Sequence, residues 1–500
     1  MSTASISLNP SFEIGPVRPR TFGSFVEHLG RCVYTGIHEA DHPTADEDGF
    51  RQDVLELVKE LGVTTVRYPG GNFVSGYRWE DGVGPVEDRP KRLDLAWHSM
   101  EPNTIGTDEF MRWAAKASIE PIMAVNLGTR GVAEALELLE YCNIADGSTR
   151  AEERRANGAD KPYGVQLWCL GNEMDGPWQI GHKTPEEYGR LAAETARAMR
   201  MIAPDLELIA CGSSSRAMPT FGQWEHTVLD ESWEHVDMIS AHAYYWEKDD
   251  DLQSFLCSAV DMDRFIEQVA ATADAVGAAR KSDKQIGISF DEWNVWYQDR
   301  AESRPPTGDD WPIAPVLLED NYTTADAVVV GNLLISLLRH TDRVWSANLA
   351  QLVNVIAPIM TVPGGKAWKQ TIFHPFALTA RHARGNVLRV SLASPKVSSD
   401  QFGTVDAIDS IATLDGKDLS VFLVNRDERR EITTEIAIPD STPTLVEAVT
   451  LHSDDPRYQA SADDDSTVVP LANSTGTAGP GRMSVTLPPV SWTMLRATIG

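Results

Sequence analysis

The chain has no cysteines in a pairing pattern. Its five, Cys32, Cys142, Cys169, Cys211 and Cys257, are odd in number, widely spaced and without a Cys-x-x-Cys. That excludes a disulfide framework or a zinc knuckle and points to reduced thiols in a cytoplasm. Basic residues are scarce, with 44 Lys+Arg against 73 Asp+Glu and a net charge of -29. Nucleic acids and anionic membrane surfaces need a basic face, so neither is an expected partner. No run reaches the ~18 apolar residues of a membrane helix. The longest candidate, 325–338, is interrupted by Asp326, Gly331 and Asn332. The first residues show no basic segment leading into an apolar core, so no secretory signal is visible. A Gly-x-Ser-x-Gly elbow and a phosphate-binding glycine motif are both missing. His28, His98, His242 and His374 stand far apart, with no His-x-His or His-Glu-x-x-His pair. No metal and no cofactor is therefore expected. What remains is a soluble protein for a neutral small molecule.

Its 500 residues exceed one average domain, and 42% hydrophobic content supports sizeable cores. From 18 to 384, short apolar runs alternate with helical patterns. The runs cover 21–27, 64–68, 121–126, 165–170, 207–211, 238–242, 285–290 and 344–352. Val54, Leu57, Val58 and Leu61 mark one helical face, and Val132, Ala135, Leu136 and Leu139 repeat that spacing. Thr184, Pro185 and Glu187 read as a capping box starting a helix that reaches about Met201. Eight strand–helix alternations, with strands apolar on both faces, predict an α/β fold: a (β/α)8 TIM barrel. Over 385–500 helix periodicity stops. Runs at 387–391, 419–424, 432–438, 444–451 and 482–487 alternate or are β-branched. They predict an antiparallel β-sandwich, jelly-roll-like, with 461–466 and 472–481 as loops. The alternating strand at 5–8, within 1–17, is expected to join that sandwich.

Barrel chemistry sits at the carboxyl ends of the strands. Polar residues cluster there: Glu27 after the first run, Arg67 and Asn72 after the second, and Asn126 after the third. Asn172 and Glu173 follow the fourth run, with only Ser213–Ser215 after the fifth. His242 and Tyr244 follow the sixth, Glu292 the seventh and Gln351 the eighth. Two runs end on Asn-Glu or Asp-Glu. Two carboxyl groups facing one hollow are what glycosidic-bond cleavage requires: an acid to protonate the leaving oxygen and a carboxylate to attack the anomeric carbon. Glu173 and Glu292 are the candidate pair. Asn172 suits a sugar hydroxyl beside the reacting carbon, and Glu27 suits accepting from others. Arg67 suits keeping Glu292 ionised, and Tyr244 and Trp296 suit lining the sugar face. Taken singly, each also fits a turn, an ion pair or a core position; the set is what points to chemistry.

These residues resemble a known family. The runs Gly-Ser-Phe-Val-Glu-His over 23–28, Arg-Tyr-Pro-Gly-Gly-Asn over 67–72 (with its continuation to 79) and Gly-Asn-Glu-Met-Asp-Gly-Pro-Trp over 171–178 (continuing to 182) are similar to the α-L-arabinofuranosidases of glycoside hydrolase family 51. So are Asp-Glu-Trp-Asn-Val-Trp over 291–296 and the segment 350–358. The resemblance spans the predicted barrel. It implies a retaining exo-glycosidase that removes terminal α-L-arabinofuranosyl units from arabino-oligosaccharides or arabinoxylan fragments. It implies Glu173 as general acid/base and Glu292 as nucleophile. Glu27, Asn72, Asn172, Tyr244 and Gln351 would hold the furanose, with Arg67 beside the nucleophile and Trp97 and Trp178 around the pocket and leaving group. It also implies an intracellular, metal-free homo-oligomer, often a hexamer. Two other readings fit the glutamate pair. An endo-acting β-glucanase or xylanase of the same clan would need an open cleft, and a non-catalytic carbohydrate-binding barrel would be expected to lack one glutamate.

Overall fold

The computed structural model describes residues 2–500. Eight parallel strands close into a barrel. In chain order they are Gly23–Phe25, Thr65–Tyr68, Glu120–Ala124, Leu167–Leu170, Glu207–Ala210, Met238–Tyr245, Gly287–Val295 and Val344–Leu349. Each pairs with its sequence neighbours, and the last closes onto the first through Asn348 opposite Gly23. All four residues of Thr65–Tyr68 and of Leu167–Leu170 are buried. A strand covered by helices outside and side chains inside has no face left for polar alternation.

The surrounding helices follow the expected local rules. Gln52–Leu61 buries Val54, Leu55, Val58 and Leu61, with Leu57 partly covered, and ends on Gly62 at φ 82°. That left-handed conformation suits glycine at a helix C-terminus. Pro185–Ile202 starts with the reciprocal cap: Glu187 N–H donates to Thr184 Oγ1 at 3.3 Å, and Thr184 N–H donates to Glu187 Oε2 at 3.0 Å. No helix among the described residues is long and apolar enough to cross a membrane. All five cysteines are free and buried.

Beyond the barrel lies a ten-stranded curled sheet, antiparallel except for one pairing. Ser2–Pro16 occupies its interior, antiparallel to Asn386–Ala393 on one side and parallel to Ile432–Ala437 on the other. Alternate residues Ala4, Ile6 and Leu8 enter a second core with Val421, Leu423, Ile436 and Val485. Two strands of this sheet, Ile408–Asp415 and Ser491–Thr498, were not among the expected runs. Both are covered on both faces: Ile411, Trp492 and Met494 pack into the barrel's core, whereas Ile408, Ala412 and Leu495 enter the second core. Burial on both sides erased the alternation that sequence reading depends on. The segment 472–481, expected as a loop, contains the short strand Thr477–Gly479 paired to Arg482–Leu487.

Helix Thr324–Arg339 joins the two units. Every residue from Thr324 to Leu338 is buried, because the barrel lies on one side and the sheet on the other. This explains the long apolar run of the sequence and its interruptions. Gly331 admits the Trp492 indole, since an added Cβ would fall 2.2 Å from Trp492 Cδ1. Asn332 donates to Asp409 Oδ2 at 2.7 Å.

Candidate active site

The strand ends open into a cleft of about 900 Å³. Glu27, Asn72, Trp97, Glu173, Trp178, Tyr244, Glu292, Trp296 and Gln351 all line it. Arg67, Asn172 and His242 do not. They are buried in a layer directly behind the carboxylates. Asn126 is elsewhere, its amide bridging Tyr77 O at 2.8 Å and Thr129 Oγ1 at 3.0 Å in a turn.

Glu292 is held at both oxygens. Arg67 Nη1 donates to Oε1 at 2.7 Å, and Tyr244 O–H donates to Oε2 at 2.7 Å. The other arm of Arg67 donates to Asn172 Oδ1 at 2.6 Å. A planar guanidinium suits this two-armed hold. Gly71 lies so close that an added Cβ would sit 3.1 Å from Glu292 Oε1 and 3.4 Å from Glu27 Oε2. Glu173 accepts Trp178 Nε1–H at 2.7 Å on Oε2, and its Oε1 lies 2.8 Å from His242 Nδ1. Its backbone is left-handed, φ 45°, an uncommon state for a non-glycine residue and one often found at functional positions. An oxygen of Glu173, an oxygen of Glu292 and a His242 nitrogen all lie within 4.8 Å of one another.

Sequence reading passed over Asp291. The seventh strand was expected to stop at 290, yet it runs to Val295. Between Ser289 and Glu292 its register against the sixth strand shifts by one residue. Simple alternation would send Asp291 and Glu292 to opposite faces; the bulge lets both serve one site. Asp291 Oδ1 lies 2.8 Å from His242 Nε2, and Oδ2 lies 3.8 Å from Arg67 Nε. Burial alone would raise the Asp291 carboxyl, but Arg67 and His242 hold it below the usual carboxylate range. Burial alone would likewise lower His242; Glu292, Asp291 and Glu173 instead push it well above the usual histidine value. Glu173, His242 and Glu292 could each offer one ligand atom to a cation, but the two carboxylates already accept hydrogen bonds from Trp178, Arg67 and Tyr244.

Glu27 accepts from Phe73 N–H at 2.9 Å and Trp97 Nε1–H at 3.0 Å, and from Gln351 Nε2–H at 3.1 Å. Burial still pushes its carboxyl up to about 8. Gln351 Oε1 is buried and has no partner among the described residues. Asp175 was also missed. It accepts from Ser214 N–H and Oγ–H at 3.1 Å each, and burial together with Glu173 pushes its carboxyl up to about 7.

The chain as a whole is similar to known arabinofuranosidases. Residues 57–281 match the profile of the α-L-arabinofuranosidase 1 domain, and residues 291–491 that of the α-L-arabinofuranosidase C-terminal domain. An exo-α-(1→6)-L-arabinofuranosidase of Bifidobacterium longum is 56% identical across 99% of this chain and 97% of its own. An intracellular exo-α-(1→5)-L-arabinofuranosidase of Streptomyces lividans is also 56% identical, across 99% of this chain and 75% of its own. A solved family 51 α-L-arabinofuranosidase from Bifidobacterium longum superposes with a TM-score of 0.96 at 50% identity, covering 99% of each chain.

Proposed function

This chain belongs to the α-L-arabinofuranosidases of glycoside hydrolase family 51, and from that membership and the site geometry we propose that it is a retaining exo-α-L-arabinofuranosidase. The observation that carries the reading is the approach of Glu173 and Glu292 oxygens to within 4.8 Å. Retaining glycosidases hold their two carboxyl groups about 5–5.5 Å apart, whereas inverting ones leave room for a water at ~6.5 Å or more.

In the first step the Glu292 carboxylate attacks the anomeric carbon while Glu173 gives its proton to the departing oxygen. In the second, Glu173 takes a proton from water, which attacks the same carbon and releases Glu292. Arg67 and Tyr244 aim the nucleophile, and their hydrogen bonds occupy one oxygen each. His242 lies within proton-transfer distance of Glu173 Oε1. Asn72 lines the cleft, 3.4 Å from the Asn172 amide that Arg67 fixes, and suits a hydroxyl beside the reacting carbon. Glu27 and Gln351 Oε1 suit the remaining hydroxyls.

The anomer released first tests the assignment. Early product from an aryl α-L-arabinofuranoside, followed by NMR, should be the α anomer, and initial release of the β anomer would overturn it. A rapid fall in polymer viscosity would favour the endo-acting alternative. The relatives carry two different linkage names at equal identity, so overall similarity leaves (1→5) and (1→6) bonds both as candidates. An intracellular location, as named for the Streptomyces lividans relative, is part of the same proposal. So is self-association, for which exposed Leu95 and Val316 near the rim offer apolar surface. A scattering mass equal to the 55.0 kDa chain would overturn it.

A further inference from the structure

A single pentose fills only a small part of the cleft. At about 900 Å³ the hollow is near the upper limit for a pocket that encloses an entire drug-sized ligand. One furanose accounts for the hydroxyl partners at Glu27, Asn72 and Gln351. Part of the remaining wall is built from another part of the chain: Gln401 and Phe402, at the tip of the hairpin Lys396–Ser399/Gly403–Asp406, line the same hollow as Glu173. This hairpin belongs to the C-terminal region, beyond the barrel.

The hairpin is fastened to the barrel rim. Ser399 and Ser254 hydroxyls meet at 2.9 Å, and Gln401 N–H donates to Ser254 Oγ at 3.3 Å. Ser254 lies in the short helix Leu252–Leu256 that follows the sixth barrel strand. Phe402 is half-buried: it packs partly on the second core and also lines the cleft. Trp246 lines the hollow too, with Lys248 Nζ 4.0 Å from its ring centroid. Arg216 and Asp261 of this wall are paired with each other. Arg216 Nε donates to Asp261 Oδ1 at 2.7 Å, and Tyr245 O–H donates to Asp261 Oδ2 at 3.3 Å. Aromatic faces beside the paired Arg216 and Asp261, with the Lys248 ammonium set over the Trp246 ring, suit a hydroxyl-rich ligand that stacks its apolar face.

We propose that the hairpin tip, with Phe402 as its platform, forms a distal subsite for the leaving-group end of a neutral pentose oligosaccharide. This rests on the arabinofuranosidase reading and deepens it: the region beyond the barrel then contributes to choosing the substrate's length. Trp178 serves the first leaving-group unit, beside the acid, and Phe402 serves a unit further along.

The test compares kcat/KM on unbranched α-linked arabino-oligosaccharides of increasing length with kcat/KM on an aryl arabinofuranoside. In the unaltered protein the value should climb with length. In F402A the climb should flatten, with a loss of roughly tenfold on the longest substrate, the scale of one lost apolar contact. F402Y, which keeps a ring, should restore the climb, and this excludes a hairpin that has merely misfolded. A length profile in F402A matching that of the unaltered protein would overturn the proposal, as would an equal loss on every substrate including the aryl one. Failure of the unaltered protein to cleave any arabinofuranoside would instead overturn the activity on which the subsite depends.

Discussion

Arg67 is buried and reaches two acceptors with one guanidinium, with Asp291 close to its third nitrogen. A lysine keeps the charge but presents a single point. Arg67→Lys should therefore lower kcat/KM by about 10²–10³-fold, the scale of one lost preorganised donor, in steady-state assays on an aryl arabinofuranoside. The two carboxyl groups should part ways under substitution. Glu292→Ala should abolish turnover of every substrate, whereas Glu173→Ala should slow oligosaccharides far more than activated aryl leaving groups, which need no proton. Equal slowing of both substrates by Glu173→Ala would remove it from the acid's role. Glu27 offers a test in stability. Its folded carboxyl titrates near 8, against 4.5 for the ordinary group. Between those values the unfolded chain has lost the proton and the folded one retains it, so stability falls as pH rises from 4.5 to 8. Glu27→Gln removes that contribution. Thermal unfolding of the variant should depend less on pH across this window, and an unaltered slope would contradict burial as the cause.

Among the elements, helix Thr324–Arg339 bears the greatest consequence. Its last turn meets Asp409 of the sheet, which also faces Arg426 at 3.2 Å and Asn332 at 2.7 Å. Burial would raise the Asp409 carboxyl, but Arg339 and Arg426 hold it down to about 2. Its stabilisation is therefore present above pH ~4 and lost as pH falls toward 2. Asp409→Ala leaves two guanidinium groups without their shared partner. It should cost about 3 kcal/mol, the scale for breaking a buried ion pair, read as a lowered midpoint in denaturant. The sequence made this element visible and hid its role. A run from Ala325 to Leu338 says "buried", but nothing in it says what covers each side. The barrel was legible for the opposite reason: eight apolar runs each end on polar residues, and most of those meet at one cleft. Asp291 escaped because a bulge altered the phase of its strand, and Phe402 because its hairpin comes from a region whose residues carry no catalytic pattern.

For the molecule as a whole, barrel and sheet form one continuous structure. Ile411, Phe422 and Trp492 of the sheet share a core with the barrel, and calorimetry should accordingly record a single unfolding transition. Removing residues 2–16 should be far more damaging than trimming a terminal tail. It would strip both Asn386–Ala393 and Ile432–Ala437 of a partner and bare two sheet edges, the usual route to aggregation. Soluble, active protein after that deletion would refute the point. The same strand imposes an order on biosynthesis. Ser2 pairs with Ile432, so this strand waits for a partner synthesised 430 residues later. At about 5–20 residues per second the delay is roughly 20–90 seconds. Until Asn386–Ala393 and then Ile432–Ala437 emerge, an alternating, adhesive ribbon trails beside a growing barrel.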